Sequence, residues 1–158
     1  MGRPYDLKSF PMMRIAALIL PLWLGVIAVA SAQSETPATA ADEPRLVAAL
    51  FRSNWCGPCK VLEPRYESVM THYVDAPLER VRFDSSFGRR GALARRAREE
   101  GVSEAYEATA GSTGFVLLID RDTGDVLARI TMDYADADIR GALDHALQLI
   151  ADREAFGL

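Results

Sequence analysis

Cysteine is scarce in this chain, and histidine equally so: two of each in 158 residues. Two cysteines cannot form a framework of staples, so any chemistry they carry is local. Two histidines, neither at ligand spacing from the cysteines, leave no metal motif; a zinc site needs three or four ligands. There is no excess of positive charge either. Beyond residue 32 the chain has 15 Arg and Lys against 21 Asp and Glu, a formal charge of −6. A surface of that sign does not favour nucleic acid. Internal repeats are absent. The one long apolar run, Ile15 to Ala30, is interrupted by Pro21 and is shorter than the roughly 20 residues that span a bilayer comfortably.

What is present begins with that run. Arg3, Lys8 and Arg14 precede it, with Asp6 as the sole acid, and Ala30-Ser31-Ala32 follows it. Positive charge, apolar stretch and small-residue exit, in that order, predict a secretory signal peptide over 1–32, cut after Ala32. Ala28-Val29-Ala30 is a weaker second site, and an uncleaved membrane anchor is the competing reading. Met12 and Met13, just ahead of Arg14, offer an alternative start with a more compact signal. Residues 33–44 are small, polar and proline-bearing, which predicts a flexible tether. A single folded domain is expected over 45–158, long enough to bury a core without disulfide support.

Within that domain, Leu46 to Phe51 is apolar and short, as a buried strand is. From Gly57 to about Tyr73 the spacing is helical, with Val61, Leu62, Tyr66, Val69, Met70 and Tyr73 on one face and Pro64 expected to kink it. Arg80 to Asp84 alternates as a strand, with Val81 and Phe83 on one side. Phe87 to Glu100 predicts a helix closed by Gly101, and Val102 to Ser112 a loop with a short helix. Phe115 to Ile119 and Val126 to Thr131 flank the turn cluster Asp120-Arg121-Asp122-Thr123-Gly124, which predicts a hairpin. Ile139, Leu143, Ala146, Leu147 and Ile150 mark a C-terminal helix. The order β-α-β-α-β-β-α implies an α/β fold: a mixed sheet, parallel in its first pair and antiparallel in its last, with helices on its faces.

The chemistry-bearing segment is Trp55-Cys56-Gly57-Pro58-Cys59-Lys60, which follows a strand and opens a helix. First-turn N–H groups lack intrahelical partners, and the positive end of the helix dipole lies there. Both stabilise a thiolate at Cys56, which is expected to be exposed with a depressed pKa. Cys59, three residues on, is placed to expel a bound thiol and is expected to be more shielded. Gly57 leaves the sulfur approachable, and Pro58 lacks an N–H where none is needed. The competing readings for the pair are a structural disulfide, which over so small a loop stabilises little, and a metal site. Arg89, Arg90, Arg95, Arg96 and Arg98, followed by Glu99 and Glu100, read as a solvated helix face. Glu63 reads as an exposed carboxylate, and Lys60 as a first-turn side chain able to tune the thiolate.

The hexapeptide, with Pro64 five residues after Cys59, resembles the strand-helix junction of the thioredoxin-like family. The likeness runs from about Arg45 to the end of the chain. The motif is specific; the remainder agrees by element order, and the family's N-terminal strand and helix have no evident counterpart. The resemblance implies a thioredoxin-like fold and a thiol-disulfide oxidoreductase that needs no cofactor and no metal, with Cys56 attacking and Cys59 resolving. It implies a substrate surface formed by Trp55, Gly57 and Pro58 with the loop at Ser112 and Thr113. It also implies a disulfide-bearing protein as substrate and, for an exported member working in the periplasm or outside the cell, a membrane-bound electron donor. Gly-Pro between the cysteines resembles reducing members. Two positions depart from the family. A buried Asp is replaced by Leu50, which cannot move protons, and a cis-proline by Thr113, which is expected to follow a trans bond. Both favour an alternative class, a binding module of this fold that holds a partner or a metal with little turnover.

Overall fold

The computed structural model describes residues 43–109 and 111–157. The predicted signal peptide and most of the predicted tether lie outside them. Four strands and four helices follow in the order β1 (Leu46–Arg52), α1 (Gly57–Met70), β2 (Leu78–Asp84), α2 (Arg90–Glu99), α3 (Ser103–Ala108), β3 (Phe115–Asp120), β4 (Val126–Thr131) and α4 (Asp136–Phe156). The short helix within Val102 to Ser112 is α3, and a loop follows it to β3. The sheet order is β2-β1-β3-β4. β1 pairs with β2 in parallel and with β3 antiparallel, and β3 with β4 antiparallel. This is the mixed sheet expected from the connections.

Strand alternation divides the core in two. Leu46, Ala48 and Leu50 of β1, with Val116 and Leu118 of β3, face Leu62 and Tyr66 of α1 and Ile139 and Leu143 of α4. Val47, Ala49 and Phe51, with Phe115, Leu117 and Ile119, face Ala97 of α2 and Ala105 of α3. Both central strands are covered on both faces, which is why they read as unbroken apolar runs rather than as alternating ones. The edge strand β4 buries only Ile130.

α1 begins one residue after Cys56 and stays continuous across Pro64. Its buried face is Cys59, Leu62, Tyr66, Val69 and Met70. Val61, expected on that face, is 43% exposed. At about 100° per residue it falls on the flank of a stripe centred on Leu62 and Tyr66. The helix ends at Met70, so Tyr73 and His72, both expected within it, lie in the turn that follows. Tyr73 still packs on the core, and its hydroxyl donates to Asp144 Oδ1 of α4 at 2.6 Å. α2 starts at Arg90 rather than Phe87, and Phe87 projects to solvent with 73% of its surface exposed. α4 is started by Asp138, whose carboxylate accepts the Ala135 N–H at 2.9 Å, and stopped by Gly157 at φ +67°. No helix among the described residues is long and apolar enough to cross a membrane.

At the N-terminal end of β1 the elements are tied by a buried carboxylate. Asp120, at the end of β3, accepts Arg45 Nε at 2.8 Å and Nη2 at 2.9 Å, Arg153 Nη1 at 2.5 Å and the Asp122 N–H at 3.1 Å. Burial pushes its pKa up, but these donors outweigh burial and hold it down at about 2.

Candidate functional site

The opposite end of β1 delivers the chain into α1. Cys56 is the N-cap, with extended backbone at φ −78° and ψ 108°. Its Sγ accepts the Cys59 N–H at 3.1 Å, so the sulfur occupies the place a capping oxygen takes on an ordinary helix. Cys56 and Cys59 are joined as a disulfide. Pro58 falls in the first turn, where its missing N–H costs nothing. The motif therefore sits where unpaired donors and the helix dipole converge on one sulfur.

Cys59 is 2% exposed, and its Sγ lies 4.0 Å from the Phe51 carbonyl oxygen. Cys56 was expected to be exposed, but in the disulfide only 8% of it is accessible. The cause is the loop before β3. A Cβ built on Gly114 would stand 3.3 Å from Cys56 Sγ and 2.8 Å from Pro58 Cβ. The Gly114 N–H donates to Phe51 O at 2.8 Å, and its φ of +95° is open to few other residues. The loop thus lies directly against the cysteines. Of the two cysteines, Cys56 remains the more accessible, and Gly57 beside it has open space where a side chain would stand.

The other predicted site residues are placed as follows. Trp55 is 74% exposed beside the disulfide. Ser112 is exposed and Thr113 half-buried in the loop. Neither the Thr113 N–H nor its hydroxyl has a hydrogen-bond partner among the described residues. No peptide bond among the described residues is cis, so Thr113 follows a trans bond. Leu50 is buried among Leu62, Tyr66 and Val116 and offers no proton acceptor. Lys60 is exposed. The contacting residue is Gly114, one position beyond the pair expected to face the substrate. Two glycines bracketing Ser112-Thr113 were the available signal for it.

Glu63 is not the free carboxylate expected of it. It accepts Arg52 Nε at 3.0 Å and pairs with Arg82 as well, and its side chain is only 19% exposed. Arg52 also binds Asp84, at the end of β2. Burial pushes Asp84 up, but hydrogen bonds from Ser86 and Arg52 outweigh it and hold the carboxyl below its ordinary range. Ser86 accepts the Asn54 N–H on its Oγ at 2.8 Å, fastening the loop that carries Trp55 to the loop that carries Phe87. The partners of Glu63 come from β1 and β2, so its environment could not be read from α1 alone.

A family model described as thioredoxin matches residues 27–87. That part of the chain is similar to thioredoxin. The match spans β1, α1, β2 and the cysteine pair, and stops short of the Thr113 loop. Thioredoxin H8 of Arabidopsis thaliana is 37% identical over 43 residues, which are 27% of this chain and 29% of that protein. The chain therefore spans under a third of the length of that relative. The thioredoxin-like architecture of the mixed sheet and its helices extends through α4. Together, domain and cysteine pair support thiol-disulfide chemistry.

Proposed function

We propose that this protein is an exported thiol-disulfide oxidoreductase that reduces disulfides of other proteins in the cell envelope. The observation that carries the reading is Cys56 at the N-cap of α1, bonded to a shielded Cys59 and bordered by the Thr113 loop. In the reduced protein, the Cys56 thiolate attacks one sulfur of a partner disulfide. The partner's S–S bond breaks, and its other sulfur leaves and takes up a proton. Cys59, deprotonated, then attacks Cys56 Sγ and releases the partner's second sulfur as a thiol. Two electrons pass to the partner, and the Cys56–Cys59 disulfide forms. A membrane-bound dithiol donor, itself oxidised to a disulfide, restores the dithiol. The helix N-terminus favours the thiolate of Cys56 at neutral pH, and in the second step Cys56 Sγ is the sulfur attacked while the partner's sulfur leaves.

Export rests on the charged start, the apolar run and Ala30-Ser31-Ala32. Leu50 supports a second reading: with no acceptor to deprotonate Cys59, the domain holds a partner and turns over slowly. One experiment separates the two. Cys59→Ser, expressed in its native compartment, should accumulate a partner covalently attached to Cys56, whereas the parent should turn over a general disulfide with a thiol donor, dependent on both cysteines. A stoichiometric complex without turnover by the parent favours the binding module. N-terminal sequencing of the envelope fraction should begin at Gln33; protein found in the cytoplasm would contradict export.

A further inference from the structure

Beside the Thr113 loop lies a cavity of about 210 Å³ that the disulfide chemistry does not use. Its inner wall is aromatic. Phe51 stacks on Phe83 at 5.0 Å between ring centroids, and Tyr106 lies 5.2 Å from Phe83. Leu93 of α2 completes the apolar part. An apolar cavity of about 150 Å³ accepts a benzene ring, so this one has room for a phenyl side chain.

The rim has the opposite character. Arg89 and Arg90, at the start of α2, line it, and no carboxylate among the described residues does. Both are exposed, and neither has an ion-pair partner among the described residues. Arg95 and Arg96 of the same run pair with Glu99 and Glu100 one turn on. Of the five arginines that read as one solvated face, Arg95 and Arg96 are thus neutralised, whereas Arg89 and Arg90 are not. Arg90 points toward the loop, its Nη2 3.9 Å from where a Cβ on Gly111 would stand.

One loop borders both the cavity and the cysteine site. Thr113 lines it, and the next residue, Gly114, lies against Cys56. The Asn54–Ser86 hydrogen bond also fastens the loop of exposed Trp55, next to Cys56 in the chain, to the loop of exposed Phe87, next to the lining residue Gly88. A polypeptide crossing Cys56 would reach the cavity within a few residues, at about 3.3–3.6 Å per residue extended.

We propose that this cavity is a second recognition site for the disulfide-bearing partner, taking an apolar, preferably aromatic, side chain whose neighbour in the sequence is acidic, with Arg89 and Arg90 holding that carboxylate. The proposal rests on the oxidoreductase reading and names the substrate class that reading leaves open. An aromatic ring leaving water for the Phe51-Phe83-Tyr106 wall supplies binding energy, and the guanidinium groups add charge selection and steering. Charge and shape together exclude basic segments.

The test uses the reduced full domain and synthetic peptides, each with one cysteine capped as its 2-hydroxyethyl disulfide. One series carries Phe-Glu at placements two to five residues to either side of that cysteine; the control series carries Ser-Gln. At low salt the Phe-Glu series should react faster, at one placement or more, by on the order of tenfold. The ratio between series should fall toward one in the Arg89→Gln/Arg90→Gln double variant, whose residues lie on the surface. It should fall likewise in Leu93→Trp, which fills the cavity. Equal rates at every placement, or a preference that survives both variants, would overturn the proposal. Free 3-phenylpropanoate, which carries the same ring and carboxylate, should compete and lower the ratio; a ratio unmoved by a saturating excess of it would also count against the proposal. Bis(2-hydroxyethyl) disulfide separates the two failures. Normal attack on it without peptide preference overturns the cavity alone, whereas no attack overturns the oxidoreductase reading and the cavity with it.

Discussion

At the N-terminal end of β1, Asp120 is met by two arginines and a backbone donor, and β1, the hairpin and α4 are held together through it. At the C-terminal end of the same strand, the Thr113 N–H and hydroxyl, and Arg89 and Arg90, have no partners among the described residues, and Trp55 and Phe87 stand in solvent. Both ends spend polar groups on the fold, the second through Arg52, Glu63, Asp84 and Ser86, but only the second leaves others over, around the Thr113 loop and the start of α2. A strand seven residues long separates them. The difference teaches where to look for function in a small domain: at the end whose hydrogen-bonding capacity and apolar surface the fold leaves unused.

The comparison can be broken most severely at the clamp. Asp120→Asn leaves the Arg45 and Arg153 guanidinium groups facing a neutral amide. Removing one partner of so buried a network costs about 3–5 kcal/mol, so urea unfolding should show a loss of that size. The rate of disulfide exchange per folded molecule should stay within about twofold, because the clamp and the cysteines sit at opposite ends of β1. A large fall in that rate would show that the two ends are coupled.

The converse test strikes the other end. Gly114→Ala puts a methyl group 2.8 Å from Pro58 Cβ, at a φ of +95°. Strain and overpacking together should cost about 2 kcal/mol. Unlike the clamp variant, this one should also slow exchange severalfold, because the displaced loop no longer seats against Cys56. Stopped-flow exchange and denaturant melts on the same sample would show whether both effects occur. Unchanged values in both would mean that the loop does not rest where the geometry puts it.

Acid gives a third, smaller handle. The folded pKa of Asp120, about 2, lies below its unfolded value near 3.9. Its contribution is therefore complete above the unfolded value and is lost as pH falls through the folded one. That is about 2 kcal/mol at 1.36 kcal/mol per unit. Between pH 5 and pH 2 the parent should lose stability more steeply than Asp120→Asn, by about that amount. Parallel curves would remove Asp120 as the origin.

The smallest effect is expected between the two ends. Tyr66, on α1, has a buried hydroxyl with no hydrogen-bond partner among the described residues. Burial, with a lesser push from Glu67 against the pull of Arg80, drives the phenol up to about 12, so it stays neutral. Tyr66→Phe removes an unpaid desolvation penalty and should stabilise by up to about 1 kcal/mol. A loss of similar size would mean that the hydroxyl is in fact paired, for instance with a water in the cavity alongside Leu50, Tyr66 and Arg80.

Local pattern alone settled the order of the elements apart from α3, the parallel β1–β2 pair, the antiparallel β3–β4 hairpin and the cysteine motif at the head of α1. Each of these depends on neighbours in the chain: the apolar runs of β1 and β3, the turn cluster 120–124, and the strand-to-helix switch at Cys56. What escaped the sequence was set by contacts between distant segments. Val61 and Phe87 belong to apolar-looking stretches but face water, because the core is wide enough only for the centre of each stripe. Glu63 is held by arginines from two strands. Cys56 is covered by a loop more than fifty residues away, through a glycine whose role is visible only as the clash its side chain would make. The cavity beside it is lined by residues from Phe51 to Thr113 that only the folded sheet and helices bring together. Sequence spacing determines which face a residue takes on its own element; only the packing of the elements decides what that face meets.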